Sequence, residues 1–333
     1  MYKITLRKEL NPTVTMMEIE APLVAKKAEP GQFIILRVNE DGERIPLTIA
    51  GYDREKGTVR IIFQIVGATT TLLNAKKEGE YIQDFVGPLG VATHIEGLKR
   101  VCIVGGGVGC AIALPIAQKL HEMGCEVTSV IGFRSKDLLI LEDEFKAASD
   151  RLFVMTDDGS YGRHGNVCVP LNEMFANGEK FDEVITIGPL IMMKFVVAAV
   201  KPTGIPCTVS MNPIMIDGTG MCGGCRVNVG GEIKFACVDG PDFDGHLVNF
   251  DELMKRNGTN REQEQHDSEH CAHAALCSGI RLIRHRVDRL VCALSRILDR
   301  RILDIRSVDL FLDQFVHCRI QCRHSCIYFF LCS

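Results

Sequence analysis

The chain has 333 residues, a formal net charge of −4 and a composition of ordinary globular kind. That length suffices for two or three domains with separate cores, and the charge leaves no broad basic surface that would make nucleic acid a partner. The opening MYKITLRK lacks the apolar centre of a signal peptide, and no run nears the roughly 18 to 20 apolar residues of a membrane span. The expected setting is cytoplasmic, with no membrane partner.

Up to about Gly90, short β-rich runs alternate with turn signals: FIILRV from Phe33, PLTIA from Pro46 and VRIIFQIV from Val59. Such spacing predicts a small antiparallel barrel or sandwich. From Lys99 the texture changes to VCIV, the glycine loop GGGVG of residues 105–109, an amphipathic helix from Ala111 to His121, and a second strand from Glu126. Repeated units of this kind predict a parallel sheet wound with helices. Further strands are expected at LFVMT from Leu152, EVITI from Glu183 and CTVSM from Cys207, each ending in a loop suited to face a ligand. A glycine-rich lobe follows Asn212 and closes around FDELMKR from Phe250. The expected division is 1–97, 98–211, 212–257 and a remainder, 258–333. From Thr259 onward the remainder has eleven arginines, no lysine, no proline, one glycine and seven cysteines. It reads as an appended or out-of-frame segment, or as a zinc-binding appendage carrying His270, Cys271, Cys318, Cys322, Cys326 and Cys332. No function is assigned to it.

The chain holds fifteen cysteines. Cys102, Cys110, Cys125, Cys168 and Cys207 stand singly among apolar residues, where cysteine acts as a small hydrophobe. Cys222, Cys225 and Cys237 are closely spaced and glycine-flanked. With Asp217 before them they follow the C-x4-C-x2-C plus distal cysteine spacing of plant-type 2Fe-2S centres, an aspartate standing in the first place. Gly218, Gly220, Gly223 and Gly224 let the loop turn tightly and aim amides at sulfur. A structural zinc site is the other reading, since carboxylate and thiolates also ligate zinc. Asp217 itself is either a ligand or a turn residue beside a site completed by another group.

Gly105, Gly106, Gly107, Val108 and Gly109 lie between a strand and a helix, the context in which a backbone approaches a pyrophosphate at a helix N-terminus. Cys110 takes the place of the third glycine of the dinucleotide fingerprint. At the end of the next strand, Arg134, Ser135 and Lys136 suit the 2′-phosphate of NADPH better than the ribose hydroxyls of NADH, or else form a solvated turn. In the first region, RIPLT from Arg44 and QIVGATT from Gln64 offer an arginine, hydroxyls and an anion-binding turn, features that suit a flavin's phosphates and ring edge.

In this order the RxPLT strand, the GGGVG loop, GPLIMM from Gly188 and DGTGMCGGCR from Asp217 resemble the ferredoxin reductase-like flavoproteins. Within that family they look like the small subunit of NADH-dependent reduced ferredoxin:NADP+ oxidoreductase, also known as a sulfide dehydrogenase subunit. The electron-transfer subunit of dihydroorotate dehydrogenase B is more distantly similar. The likeness runs from residue 1 to about 257. It implies an antiparallel FAD-binding β-barrel, a parallel-sheet α/β nucleotide-binding domain and a small 2Fe-2S lobe. FAD would sit on Arg44, Pro46, Leu47, Thr48, Gln64, Val66, Gly67, Thr69 and Thr70. NADP(H) would sit on the glycine loop, Arg134, Ser135, Lys136, Asp157, Asp158, Gly188, Pro189 and Met192. Asp217, Cys222, Cys225 and Cys237 would hold the cluster, since this branch has an aspartate in the first place where the dihydroorotate relatives have cysteine. Ile112 and His164 depart from the proline and lysine common in the family.

The implied activity is that of an oxidoreductase subunit without an acid-base triad, passing electrons between NADP(H), FAD and the cluster. Its implied partners are a larger iron-sulfur flavoprotein subunit and, through it, ferredoxin. The alternatives are an electron-transfer subunit of dihydroorotate dehydrogenase B or sulfide dehydrogenase and, in another class, a zinc-stabilised nucleotide-binding sensor module.

Overall fold

The computed structural model describes residues 1–258, and the Arg- and Cys-rich stretch from 259 on, with its zinc-appendage reading, lies outside the described residues. The first sheet is built from β1 (Tyr2–Asn11), β2 (Val14–Glu20), β3 (Phe33–Arg37), β4 (Arg44–Asp53), β5 (Thr58–Gln64), β6 (Tyr81–Ile82) and β7 (Asp84–Leu89). Helices α1 (Pro22–Lys27) and α2 (Ala68–Ala75) interrupt it. All pairings are antiparallel, in the order β6-β1-β2-β5-β4-β3-β7. The outermost strands β6 and β7 are separated in sequence by Gln83 alone, so the sheet curls into a nearly closed barrel. Closure hides the backbone edges that an open sheet exposes.

Strand β3 is buried on both faces because alternate residues serve different cores. Ile34 and Leu36 fill the barrel interior with Phe63 and Phe85. Phe33 and Ile35 point outward into a core shared with Met211, Met215, Cys225 and Cys237. One five-residue strand therefore touches both the barrel core and the cysteine-bearing lobe.

The second sheet comprises β8 (Arg100–Gly106), β9 (Glu126–Phe133), β10 (Arg151–Thr156), β11 (Arg163–His164), β12 (Glu183–Ile187) and β13 (Cys207–Ser210). Between them run α3 (Cys110–Glu122), α4 (Glu142–Ala147), α5 (Cys168–Ala176) and α6 (Leu190–Val200). These six strands are parallel, in the order β11-β10-β9-β8-β12-β13. Chain order reverses between β8 and β12, and a ligand crevice opens at such a switch point, outside the carboxyl ends of the strands. The inward face of α3, including Ala113, Leu114, Ala117 and Leu120, shares a core with Val14, Met16, Ala50 and Ile62 of the barrel sheet. That shared core fixes the barrel against the parallel sheet.

The remainder forms the hairpin β14 (Arg226–Val229) and β15 (Glu232–Phe235), the strand β16 (Asp242–Asp244) and the helix α7 (Phe250–Asn257). Gly230 and Gly231 both take positive φ, 62° and 89°, which a two-residue hairpin turn of this twist demands. Strand β16 adds to β13 in antiparallel fashion, so the lobe continues the edge of the parallel sheet. Cys102, Cys110, Cys125 and Cys207 are buried and Cys168 is half-buried, all free thiols, as expected of small hydrophobes. No helix among the described residues is long and apolar enough to cross a membrane.

Candidate functional site: a switch-point cleft beside a cysteine loop

A cleft of about 670 Å³ opens at the switch point, floored by Gly106 to Gly109 on one side and by Ile187 to Pro189 on the other. The glycines are demanded by packing. A methyl group on Gly109 would lie 2.5 Å from the Ile187 carbonyl oxygen, and one on Gly106 would lie 2.2 Å from Met192 Sδ. The backbone after β12 can thus press against the loop after β8 because Gly109 carries no side chain, while the Met192 side chain folds over Gly106. Gly105 is a buried strand residue beneath the cleft rather than part of its wall. A 3-10 turn over Gly107–Gly109 leads straight into α3 and takes up the Cys110 amide on the Gly107 and Val108 carbonyls, so an anion placed at the loop would meet the amides that open this turn.

Arg134 and Asp157 also line the cleft, as do Gln64, Val108, Gly188, Pro189 and Met192. Ser135, Lys136 and Asp158 are not in its wall. Lys136 instead lays its ammonium over the Tyr161 ring, 5.5 Å from the centroid, and its amide donates to Ser160 Oγ at 2.8 Å. The Asp158 carboxylate accepts from the Ser160 hydroxyl and amide, which hold it below the usual carboxylate range. Both residues shape the loop after β10, and Arg134 remains the cation that faces the cavity. The sequence reading missed Asn11, Thr13, Asn166 and Ser210, which also line it, as does Asn212 of the loop expected to face a ligand. Asn11 spans the two sheets: its Nδ2 donates to the Leu138 carbonyl at 3.1 Å, while its Oδ1 accepts from the Thr13 amide. A lone asparagine at a strand end carries no motif by which this could have been found.

On the barrel, Arg44 is exposed and Pro46, Leu47 and Thr48 are half-exposed, whereas the next residues of β4, Ile49 and Ala50, are buried. The strand therefore leaves an uncovered stretch of mixed apolar and hydroxyl character opposite β3, with Pro46 paired to Ile35 and Thr48 to Phe33. Thr70 Oγ1 accepts from the amides of Val66 and Gly67, closing the turn that starts α2. Thr69 is buried and donates to Glu43 Oε2 at 2.9 Å. Of this set only Gln64 reaches the cleft wall.

In the cysteine loop, Asp217 accepts from the amides of Thr219 at 2.9 Å and Cys222 at 3.0 Å. These hydrogen bonds, chiefly that of Thr219, hold its carboxyl below the usual range, so it is a ready anionic donor. Cys225 and Cys237 are buried with Sγ atoms 3.1 Å apart, well beyond the roughly 2.05 Å of a disulfide. Burial pushes the Cys237 thiol up, and the neighbouring Cys225 adds to that. A bound cation reverses such a shift by favouring thiolate. The amides of Gly224 and Cys237 point at the sulfurs of Cys222 and Cys225, each at 3.4 Å. The four donors stand as two pairs, Asp217 with Cys222 and Cys225 with Cys237, and no group of three converges among the described residues. One carboxylate, three free thiols and amides aimed at sulfur fit an iron-sulfur group by donor chemistry.

The loop is pressed against the barrel. A methyl on Gly218 would lie 2.7 Å from Ile35 Cδ1 and 2.8 Å from Leu89 Cδ1. Because Ile35 pairs with Pro46, the Asp217 to Cys222 loop sits one strand away from the uncovered stretch of β4. The Val91 amide also donates to the Gly240 carbonyl at 2.7 Å, tying the end of the lobe to the segment that follows the barrel.

Comparison with known proteins agrees with this geometry. The family described as the iron-sulfur cluster binding domain of dihydroorotate dehydrogenase B matches residues 212–249. The dihydroorotate dehydrogenase B (NAD(+)) electron transfer subunit homolog of Thermotoga maritima is 53% identical over 247 residues, 74% of this chain and 87% of that protein. The corresponding electron transfer subunit of Streptococcus pneumoniae is 33% identical over 249 residues, 72% of this chain and 94% of its own length. Among solved structures, a chain of the NADH-dependent reduced ferredoxin-NADP oxidoreductase, described in connection with flavin-based electron bifurcation, superposes with a TM-score of 0.77. It is 48% identical and covers 81% of this chain and 97% of its own. By fold, site and sequence alike, the chain belongs to the ferredoxin reductase-like family, among the flavin and iron-sulfur electron-transfer subunits related to that of dihydroorotate dehydrogenase B.

Proposed function

We propose that this chain is the small subunit of a ferredoxin:NADP+ oxidoreductase, passing electrons between NADP(H), FAD and a 2Fe-2S cluster. Residues 1–97 carry FAD on Arg44, Pro46, Leu47, Thr48, the Gln64 to Gly67 strand end and the Thr69–Thr70 turn. Residues 98–211 carry NADP(H) in the switch-point cleft, and residues 212–257 carry the cluster on Asp217, Cys222, Cys225 and Cys237. The partners are a larger iron-sulfur flavoprotein subunit and, through it, ferredoxin. The oxidoreductase chain, 48% identical with a TM-score of 0.77, supports this reading, and the 53% identical Thermotoga maritima protein, named as a dihydroorotate dehydrogenase B electron transfer subunit homolog, makes that type the second reading.

The observation that carries the reading is the contact between Gly218 and Ile35, the cross-strand partner of Pro46, which brings the cysteine loop beside the flavin strand. When bound, the flavin supplies exchange between hydride transfer and single-electron transfer. The residues of the chain bind and orient. The glycine loop, whose 3-10 turn leads into α3, receives a pyrophosphate, and Arg134 offers a cation to a 2′-phosphate. The carboxylate of Asp217 stays ionised on its two amide bonds, and the amides of Gly224 and Cys237 stabilise sulfur charge.

The test is to purify the chain anaerobically, reconstitute it with iron, sulfide and FAD, and record its visible absorption and its electron paramagnetic resonance after reduction. Flavin bands with a 2Fe-2S signal are expected. A colourless protein retaining zinc would reject the reading in favour of a zinc-stabilised nucleotide-binding module. Mass spectrometry of proteins co-purifying from the native host separates the two kinds of electron-transfer subunit.

A further inference from the structure

Helix α7 ends in a residue that reaches back to the cysteine loop. Arg256 Nη2 donates to the Gly224 carbonyl at 2.8 Å and its Nη1 to the Arg226 carbonyl at 2.5 Å. One guanidinium therefore bridges the two peptide carbonyls that flank Cys225, a residue only 2% exposed. The helix that carries it is well anchored. Asn249 caps its N-terminus by accepting from the Glu252 amide at 3.2 Å, and Phe250 and Leu253 are buried beneath it. Glu252 accepts from Asn228 of β14 at 3.0 Å, and Asp251 pairs with Lys194 of α6 at 2.6 Å. The neighbouring Arg226 has a different task, donating to the Gly223 carbonyl at 3.2 Å.

We infer that Arg256 is a positioning residue for the iron-sulfur group: its planar fork fixes the peptides on both sides of Cys225 and brings a fixed positive charge to that segment. The inference rests on the cluster reading above. The choice of arginine has a physical reason. Two carbonyls on one side of a loop match the fixed donor spacing of a guanidinium, whereas a lysine ammonium is a single compact charge. The clamp acts through the backbone, so Cys225 keeps its place while the cluster is loaded or lost. The permanent positive charge favours the more negative, reduced form of a cluster held there.

The test uses the full chain with Arg256→Gln and Arg256→Lys variants, checked for fold by circular dichroism and bound flavin. In cluster-free protein, alkylation of Cys225 by iodoacetamide, compared at equal thiolate fraction and followed by peptide mass spectrometry, should be faster in R256Q by about tenfold, the effect of losing one charged hydrogen bond. Buried Cys110, which belongs to the separate core around α3, should be unchanged. In reconstituted protein the cluster's midpoint potential should fall in R256Q and be retained in R256K. Release of iron to a chelator should accelerate in both. Equal alkylation rates, or a potential unmoved in R256Q, would overturn the inference. An absent cluster signal in the unsubstituted chain would instead overturn the cluster reading, leaving the alkylation arm to judge the clamp alone.

Discussion

At the scale of single residues, charge near the cleft divides into groups that face the cavity and groups that shape its walls. Arg134 lines the cleft, while Lys136, outside its wall, is engaged with the Tyr161 ring. Arg134→Ala should therefore weaken NADPH binding by about tenfold or more while changing NADH binding little, the loss expected for a charge-assisted hydrogen bond to a 2′-phosphate. Lys136→Ala should weaken NADPH binding less. Titrations of both nucleotides against the flavin absorption of each variant measure this, and equal losses for the two nucleotides in Arg134→Ala would remove the assignment. The sequence placed Arg134, Ser135 and Lys136 together because they are adjacent at a strand end. Which of them turns to the ligand depends on side-chain partners such as Tyr161 and Ser160, brought in from β10's loop, and adjacency carries no trace of those.

At the scale of elements, strands and the glycine-loop helix were legible because their signals are local. The runs from Phe33, Val59, Val101, Glu126 and Glu183 all became strands, since alternation and β-branched content reflect burial between fixed neighbours. The β1–β2 hairpin was not read, because charged residues such as Lys3, Arg7, Lys8 and Glu9 blur its alternation. Nor was β16, three residues long, whose pairing with β13 depends on how the cysteine lobe folds back. Helix α7 is another element whose value lies in its tertiary ties: it holds the clamp on the cysteine loop and depends on a single side-chain cap, Asn249. Asn249→Ala should cost about 1 kcal/mol locally, the usual worth of an N-cap. Hydrogen exchange should show faster exchange of the α7 amides and of the amides around Cys225, with the barrel strands unaffected. Protection lost evenly across the molecule would mean that α7 is not a separate unit of stability.

At the scale of the whole molecule, barrel, parallel sheet and cysteine lobe meet at Asp242. Its Oδ2 accepts from Thr93, in the segment leaving the barrel, at 2.6 Å, and it lies opposite Ser210 in the register of β16 with β13. Its Oδ1 is buried without a hydrogen-bond partner. Burial pushes this carboxyl up to about 6 from an ordinary 3.8, with nearby Glu183 adding to the rise. Since the folded value lies above the unfolded one, the folded state holds a proton that the unfolded state releases between about pH 4 and pH 6, and stability falls as pH rises through that window. Above it the junction carries the full cost of a buried carboxylate. Asp242→Asn keeps an acceptor for Thr93 and removes the charge, so it should stabilise the chain more at pH 7.5 than at pH 5, by roughly 1 kcal/mol. Urea denaturation of both proteins at the two pH values measures the difference. An identical effect at both would show that Asp242 titrates as an ordinary carboxylate and that the junction of the three parts is open to water.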